Sequence, residues 1–349
     1  MLQIAIIGYG GMGTYHVELI NASDRVRVKG IFDIDEARGK AAKERGLYVY
    51  RSYQEVLADP DIAAVLIATP NDVHKKLAIR ALEAGKHVIS EKPVTITTTE
   101  FQEILETAAK ADRTFMVHQN RRWDEDFLTI KRLKQEKLIG DVFHLESRVQ
   151  GANGIPGDWR HKLAQGGGMV LDWGVHLLDQ LLFMEDSRIE SVYATLSYVL
   201  GDEVDDGFTA LIRFESGLTA HIEVGTTNFI KLPRWYVRGT AGNAVIEDWD
   251  LSGRMIVPTY LEGIEAPKPI QAGVGLTKTM APPSEEATAE KALPEPLQNK
   301  TSFYNNFANV VLDGQEAIVK NEEVMRVMKL IEAIFTSARE NRVVTEIDE

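Results

Sequence analysis

The run Gly8-Tyr9-Gly10-Gly11-Met12-Gly13 follows directly on the apolar stretch Leu2–Ile7, and that junction constrains the fold more than anything else in the sequence. Three glycines at GxGxxG spacing serve a tight turn at Gly8, a close phosphate approach at Gly10 and helix–strand packing at Gly13. A helix starting there offers free N–H groups and its positive dipole end to an anion. Asp33 lies twenty positions beyond Gly13, at the end of the next apolar run. A carboxylate in that position accepts from both ribose hydroxyls and repels a 2′-phosphate. The loop Gly8, Tyr9, Gly10, Gly11, Met12 and Gly13, together with Asp33, is therefore expected to bind NAD; nearby Arg38 keeps NADP in play.

The surrounding pattern supports such a nucleotide-binding unit. Leu2–Ile7, Val26–Asp33, Ile62–Thr69, His87–Ser90 and Thr114–His118 read as strands, several without polar alternation, which implies a parallel sheet covered on both faces. Glu36–Arg45, Asp72–Ala84 and Glu100–Ala111 carry helical spacing between them, giving a doubly wound α/β Rossmann layer. Beyond Trp123 the order changes. Helix Glu125–Glu136, a strand near Val142–Gln150 and a helix from about Gly168 to Phe183 precede five strand-like runs between Ser191 and Asp248. Glu215-Ser216-Gly217 has the composition of a hairpin turn, Pro258–Pro296 holds seven of the twelve prolines and reads as a long loop, and Glu322–Asn341 closes the chain as a helix. This second part is expected to be α+β with an open-faced, mainly antiparallel sheet, so the 349 residues divide into domains 1–120 and 121–349.

Composition narrows the function. With 39 basic and 52 acidic residues the net charge is −13, which disfavours nucleic acid and fits a neutral ligand better than an acidic one. The absence of cysteine excludes disulfides, thiolate metal sites and a catalytic thiol. No run of about 18 apolar residues is present, so no membrane helix is expected; a cytoplasmic location is the expectation.

Two more strand ends point at the nucleotide crevice. Thr69-Pro70-Asn71-Asp72-Val73-His74 follows one, and Glu91-Lys92-Pro93 follows the next. Asn71 could cap the following helix, and His74 could be a surface residue of its first turn. Lys92 could hydrogen-bond a substrate hydroxyl, or pair with Glu91. In Gly166-Gly167-Gly168-Met169-Val170-Leu171-Asp172-Trp173-Gly174-Val175-His176-Leu177-Leu178-Asp179, helical spacing puts Asp172, His176 and Asp179 on one face. Alcohol oxidation needs a base near neutral pH, which suits His176 with Asp172 orienting it. The glycines would let backbone approach the ligand. A metal held by Asp, His and Asp is the rival reading; hydride chemistry with a lysine present needs none.

GYGGMG, Asp33, Ala68–His74, Ala84–Pro93 and Gly166–Asp179 together resemble the Gfo/Idh/MocA oxidoreductase family over nearly the whole chain. The resemblance implies that Lys92, Asp172 and His176 match the lysine, aspartate and histidine of an inositol-dehydrogenase-type active site. It implies that Trp159-Arg160 lie near cofactor and substrate, with Thr69, Pro70, Asn71, His74, Glu91 and Lys92 lining the cofactor. Asn120, Arg121, Arg122, Asp158 and Asp179 are further substrate candidates; Arg121 and Arg122 could instead pair with Asp124 or Asp126. The implied activity is NAD(P)-dependent oxidation of a CH–OH group of a sugar, polyol or inositol. Alternatives are an NAD-dependent glycosidase with transient redox chemistry and a non-catalytic nucleotide-sensing regulator. The open sheet implies a homodimer or homotetramer.

Overall fold

The computed structural model describes residues 1–259, 268–281, 283, 285–299 and 301–348. In the first part the apolar runs become β1 (Leu2–Ile7), β2 (Val26–Phe32), β3 (Ala64–Ile67), β4 (His87–Ser90) and β5 (Phe115–Val117). All pair in parallel, in the order β2-β1-β3-β4-β5. β3 is buried along its whole length because helices cover both faces, which is why it lacks polar alternation. The helices are α1 (Gly11–Asn21), α2 (Glu36–Glu44), α3 (Tyr53–Ala58), α4 (His74–Glu83) and α5 (Thr98–Ala111). Periodicity could not reveal α3, which is six residues long, although Ser52 caps it by accepting from Glu55 N–H. The strand order reverses between β1 and β3, and a crevice opens beyond their carboxyl ends.

The second part starts with α6 (Glu125–Gln135) and β6 (Val142–Gln150), then α7 (Val175–Met184), β7 (Ile189–Ser197), β8 (Gly207–Phe214) and β9 (Thr219–Gly225). β10 (Trp235–Gly239), β11 (Gly242–Ile246) and β12 (Gly253–Pro258) follow. β8 and β9 join through the expected turn, with Gly217 at φ +86°. Pro258–Pro296 is not one long loop. A small hairpin forms from β13 (Ile270–Ala272) and β14 (Gly275–Thr277), and β15 (Thr288–Lys291) pairs with β12 at the sheet edge. These short, partly exposed strands carry no apolar run, so only pairing with distant partners defines them. Residues 260–267, 282 and 284 of that segment lie outside the described residues.

The resulting sheet has the order β15-β12-β11-β10-β6-β9-β8-β7, antiparallel except for the β6–β9 pair. Its inner face carries Leu145, Ala210, Ile212, Ile222 and Val237 toward the core. The other face carries polar groups such as His144, Glu146, Gln150, His221 and Glu223, bonded to one another and to Arg148. α9 (Asn321–Glu340) packs along β7, where Ser337 Oγ accepts from Ala194 N–H. α8 (Phe303–Asp313) returns to the first layer, where Asp313 and Asn309 receive Arg25. Among the described residues no helix is long and apolar enough to cross a membrane.

Candidate active site

The glycine loop connects β1 to α1. Gly8 adopts φ +92°, and a Cβ there would lie 2.4 Å from the Ala68 carbonyl oxygen. A Cβ on Gly13 would lie 2.0 Å from the Gly8 carbonyl oxygen, so helix and strand meet only because both residues are glycine. By contrast, Gly11 has nothing within 4 Å of that position. α1 has no side-chain cap and no acid in its first turn, which leaves its N–H groups and dipole for an anion. Asp33 accepts from the N–H groups of Tyr9 (2.6 Å) and Asp35 (2.8 Å), which fixes its carboxylate beside the loop. The Arg38 guanidinium sits 3.4 Å from Asp33 and 3.3 Å from the place of a Gly10 Cβ. These residues fit a dinucleotide: pyrophosphate at the uncapped helix start and adenosine ribose at Asp33.

Glu91 and Lys92 end β4 with their side chains turned to different partners. Glu91 is buried; its Oε1 receives His16 Nε2 at 2.7 Å and His118 Nδ1 at 2.9 Å, and its Oε2 receives Lys92 N–H. Burial alone would raise the Glu91 pKa, but the two histidines hold it well below the usual carboxylate range. Burial lowers His16, whose Nδ1 accepts from Tyr304 Oη at 2.5 Å. The network thus ties α1, β4, β5 and α8 together behind the crevice. The Lys92 ammonium, unlike its backbone N–H, does not pair with Glu91. Its Nζ donates to the Asp172 carbonyl (2.7 Å) and carboxylate (3.3 Å), leaving one N–H unassigned. The Lys92–Pro93 peptide is cis.

Asp172 lies in a π-helical turn, Val170–Gly174, that leads into α7. Its position comes from a residue that spacing could not nominate: buried Asp205 Oδ2 accepts from Met169 N–H (2.8 Å) and Val170 N–H (2.9 Å). Burial raises the Asp205 pKa to about 6. The three glycines face protein rather than open space. A Cβ at Gly167 would lie 2.2 Å from the Arg160 carbonyl oxygen, and one at Gly168 2.3 Å from Asp205 Oδ1. The expectation that they admit ligand is corrected accordingly: they let this loop fold onto its own neighbours.

The expected helical face also needs correction. Asp172 gives its carboxylate to Lys92 and to Arg160 Nε (3.2 Å), not to His176, because two cations compete for it and the π turn alters the angular spacing. Burial would raise the Asp172 pKa, yet Lys92 and Arg160 hold it below its ordinary value. Asp179 forms a buried bidentate pair with Arg122, at 2.9 and 2.7 Å, and Glu323 also receives Arg122. Asp179 and Arg122 therefore lock α7 to the turn after β5, with both side chains buried in this pair. Arg121, as weighed from the sequence, pairs with Asp124 at 2.9 Å, while its guanidinium lies 4.2 Å from the Trp173 ring centre.

His176 is buried, and its Nδ1 has no protein partner. Burial first, then the Lys92 ammonium and Arg121 guanidinium, hold its pKa well below 6.5, so the ring is neutral at pH 7. Asn71 does not cap α4; its Nδ2 donates to the Gly166 carbonyl (2.8 Å), joining the turn after β3 to the Gly166–Gly168 loop. His74 is no surface residue. It is fully buried between the Pro93 and Thr69 carbonyls, so it shapes the crevice wall behind Thr69 and Pro70. Asp158 accepts from Arg160 N–H and Nη1, and Arg160 stacks 4.7 Å from the Trp159 ring centre. Asn120 begins a 3₁₀ turn that abuts α7.

Several unpaired polar atoms lie on the loops around the crevice and on α7, while Thr129 Oγ1 on α6 and Asn321 Oδ1 on α9 are unpaired as well. Tyr9 Oη, Thr69 Oγ1, both Gln119 amide atoms, Arg121 Nε, Gln165 Oε1 and His176 Nδ1 are buried without partners. Tyr9, Thr69 and Gln119 sit just past the carboxyl ends of β1, β3 and β5. Burying such a group unpaired costs about 1–3 kcal/mol, a cost native proteins concentrate at functional sites. Gln119 and Gln165 carry no motif, so burial alone could single them out.

The Oxidoreductase family, NAD-binding Rossmann fold, of GFO/IDH/MocA type matches residues 2–119, and the GFO/IDH/MocA C-terminal domain matches residues 127–245. The crystal structure of an NAD-binding protein from Listeria innocua is 62% identical, with a TM-score of 0.97 over 99% of both chains. The myo-inositol 2-dehydrogenase of Thermotoga maritima is 29% identical over 64% of this chain and 68% of its own. The scyllo-inositol 2-dehydrogenase (NADP(+)) of Bacillus subtilis is 25% identical over 98% of this chain and 95% of its own. By its two matching domains and the site they frame, the chain belongs to the GFO/IDH/MocA family and is an oxidoreductase.

Proposed function

We propose that the enzyme oxidises a secondary hydroxyl of a neutral sugar, polyol or inositol, with His176 as the base. The observation that carries this reading is the neutral, buried imidazole of His176 with an unpartnered Nδ1, lying near the Lys92 ammonium. Lys92 donates its third N–H to the substrate oxygen, since Asp172 holds the other two. As hydride leaves the carbinol carbon, the hydroxyl proton passes to the neutral His176 imidazole and the carbonyl forms under Lys92. Asp172 keeps Lys92 and Arg160 in place. Bound nicotinamide dinucleotide supplies the hydride acceptor. A neutral substrate follows from charge pairing, because Lys92, Arg160, Arg121 and Arg234 each already face an aspartate.

NAD is the preferred cofactor in this reading, held by Asp33, with Arg38 able to meet the 2′-phosphate of NADP. The open polar face of the larger sheet serves a homodimer or homotetramer, which light scattering on the purified protein checks. The decisive experiment is a screen of inositols, hexoses and their keto forms with NAD and NADP, following both NADH and product. His176→Ala should lower turnover by roughly 10²–10⁴ with cofactor affinity retained. Full turnover in that variant would sink the assignment.

A further inference from the structure

The aromatic groups beside His176 extend well past the room a single sugar ring needs. Trp173, next to Asp172, stands edge-on to His176 with ring centres 5.8 Å apart and planes at 65°. Trp249 reaches the same place from the turn between β11 and β12, 6.1 Å from Trp173 at 43°. The Arg121 guanidinium lies 4.2 Å from the Trp173 centre and 5.4 Å from that of Trp249, and buried Arg234 lies 4.8 Å from Trp249. Trp249 is thus anchored by two cations while 46% of its surface stays exposed. Its turn is fixed as well: Asp248 accepts from Trp249 N–H at 2.9 Å and pairs with Lys231 at 2.6 Å.

We infer that Trp249 is the stacking floor of an outer subsite, so that a substrate carrying a second sugar ring is preferred over the free monosaccharide. The inference rests on the reading of His176 as the base acting on a sugar hydroxyl. Each ring-to-ring step from His176 through Trp173 to Trp249 is comparable to the span of one hexopyranose unit. A first ring lying across His176 and Trp173 therefore leaves its neighbour beside Trp249, one step further on. Pyranose rings present C–H-rich faces, and an indole is a large apolar surface with an electron-rich face that suits them. A tryptophan that only filled the core would be buried. This one is held in place with nearly half of its surface open, which keeps the ordering cost of binding low. The paired charges around it suit neutral hydroxyls rather than a charged appendage.

Tryptophan-fluorescence titration and steady-state kinetics would use the full-length, NAD-loaded enzyme with glucose, maltose, cellobiose and methyl glucosides. The wild type should bind at least one disaccharide about tenfold more tightly than glucose, equivalent to ~1.4 kcal/mol. Trp249→Ala should remove that advantage by raising KM for the disaccharide, with kcat and the glucose KM unchanged. Trp249→Phe should restore most of it, and an unchanged Tm would show that both variants are folded. Equal affinity for one-ring and two-ring sugars, or an equal loss for both in Trp249→Ala, overturns the subsite alone, provided His176→Ala still abolishes turnover. Failure of every sugar to bind or react also overturns the subsite, and only failure of the inositols and polyols as well overturns the reading of His176.

Discussion

The two glycine-rich loops look alike as strings and do opposite jobs. Gly8–Gly13 crowds its ends and opens its middle: Gly8 and Gly13 touch backbone, whereas Gly11 faces nothing within 4 Å. Gly166–Gly168 is closed throughout, against Ile96 and Asn71, the Arg160 carbonyl and Asp205. One loop bares helical N–H groups to a ligand. The other has its first helical N–H groups taken by Asp205, and the residues it serves, Asp172 and His176, come a turn later. Glycine composition alone does not reveal which kind a loop is; what lies opposite the missing Cβ does.

That contrast can be broken at its strongest point first. Gly13→Ala and Gly168→Ala each force a methyl into an oxygen, and each should destabilise the fold by about 3 kcal/mol, read by urea unfolding. Gly11→Ala should leave the midpoint unchanged; a large loss there would erase the distinction. Asp205→Ala should cost about 1–2 kcal/mol as a lost cap and lower kcat, while NAD affinity stays at the wild-type value. Were cofactor binding to fall in step with kcat, the two loops would be one unit. Asn71→Ala removes the hydrogen bond that ties the turn after β3 to the second of these loops and should cost about 1 kcal/mol, measurable as a small shift in the same unfolding curve. The smallest effect concerns pH. His176 accepts a proton only when neutral, so kcat/KM should fall on acidification through its pKa, and the lowered value puts that fall below pH 6.5. Arg121→Met removes a charge that opposes protonation, so the acid limb should move upward; an unmoved limb would separate His176 from that charge.

Much of this was legible in the sequence because it is local. The parallel layer followed from unalternated apolar runs, and the nucleotide loop from glycine spacing plus Asp33. Lys92 stood out beside its proline, and His176 stood out after the glycines. The errors arose where a side chain's partner is remote. Asp179 and His176 share a helix, yet Arg122 takes Asp179 out of the site. Asp172 fitted an orienting role until Lys92 and Arg160 competed for its carboxylate. Trp173, Trp249, Gln119 and Asp205 carried no spacing signal at all.

Local patterns were enough for the layers, the glycine-loop spacing and the chemical types at the centre, since strand periodicity, backbone freedom at glycine and the titration range of imidazole are properties of short segments. Tertiary structure decided which ion pairs form, which polar atoms stay unpaired and which helical turn becomes π. Those outcomes depend on desolvation and on competition among charges brought together from distant parts of the chain, and no local pattern encodes them.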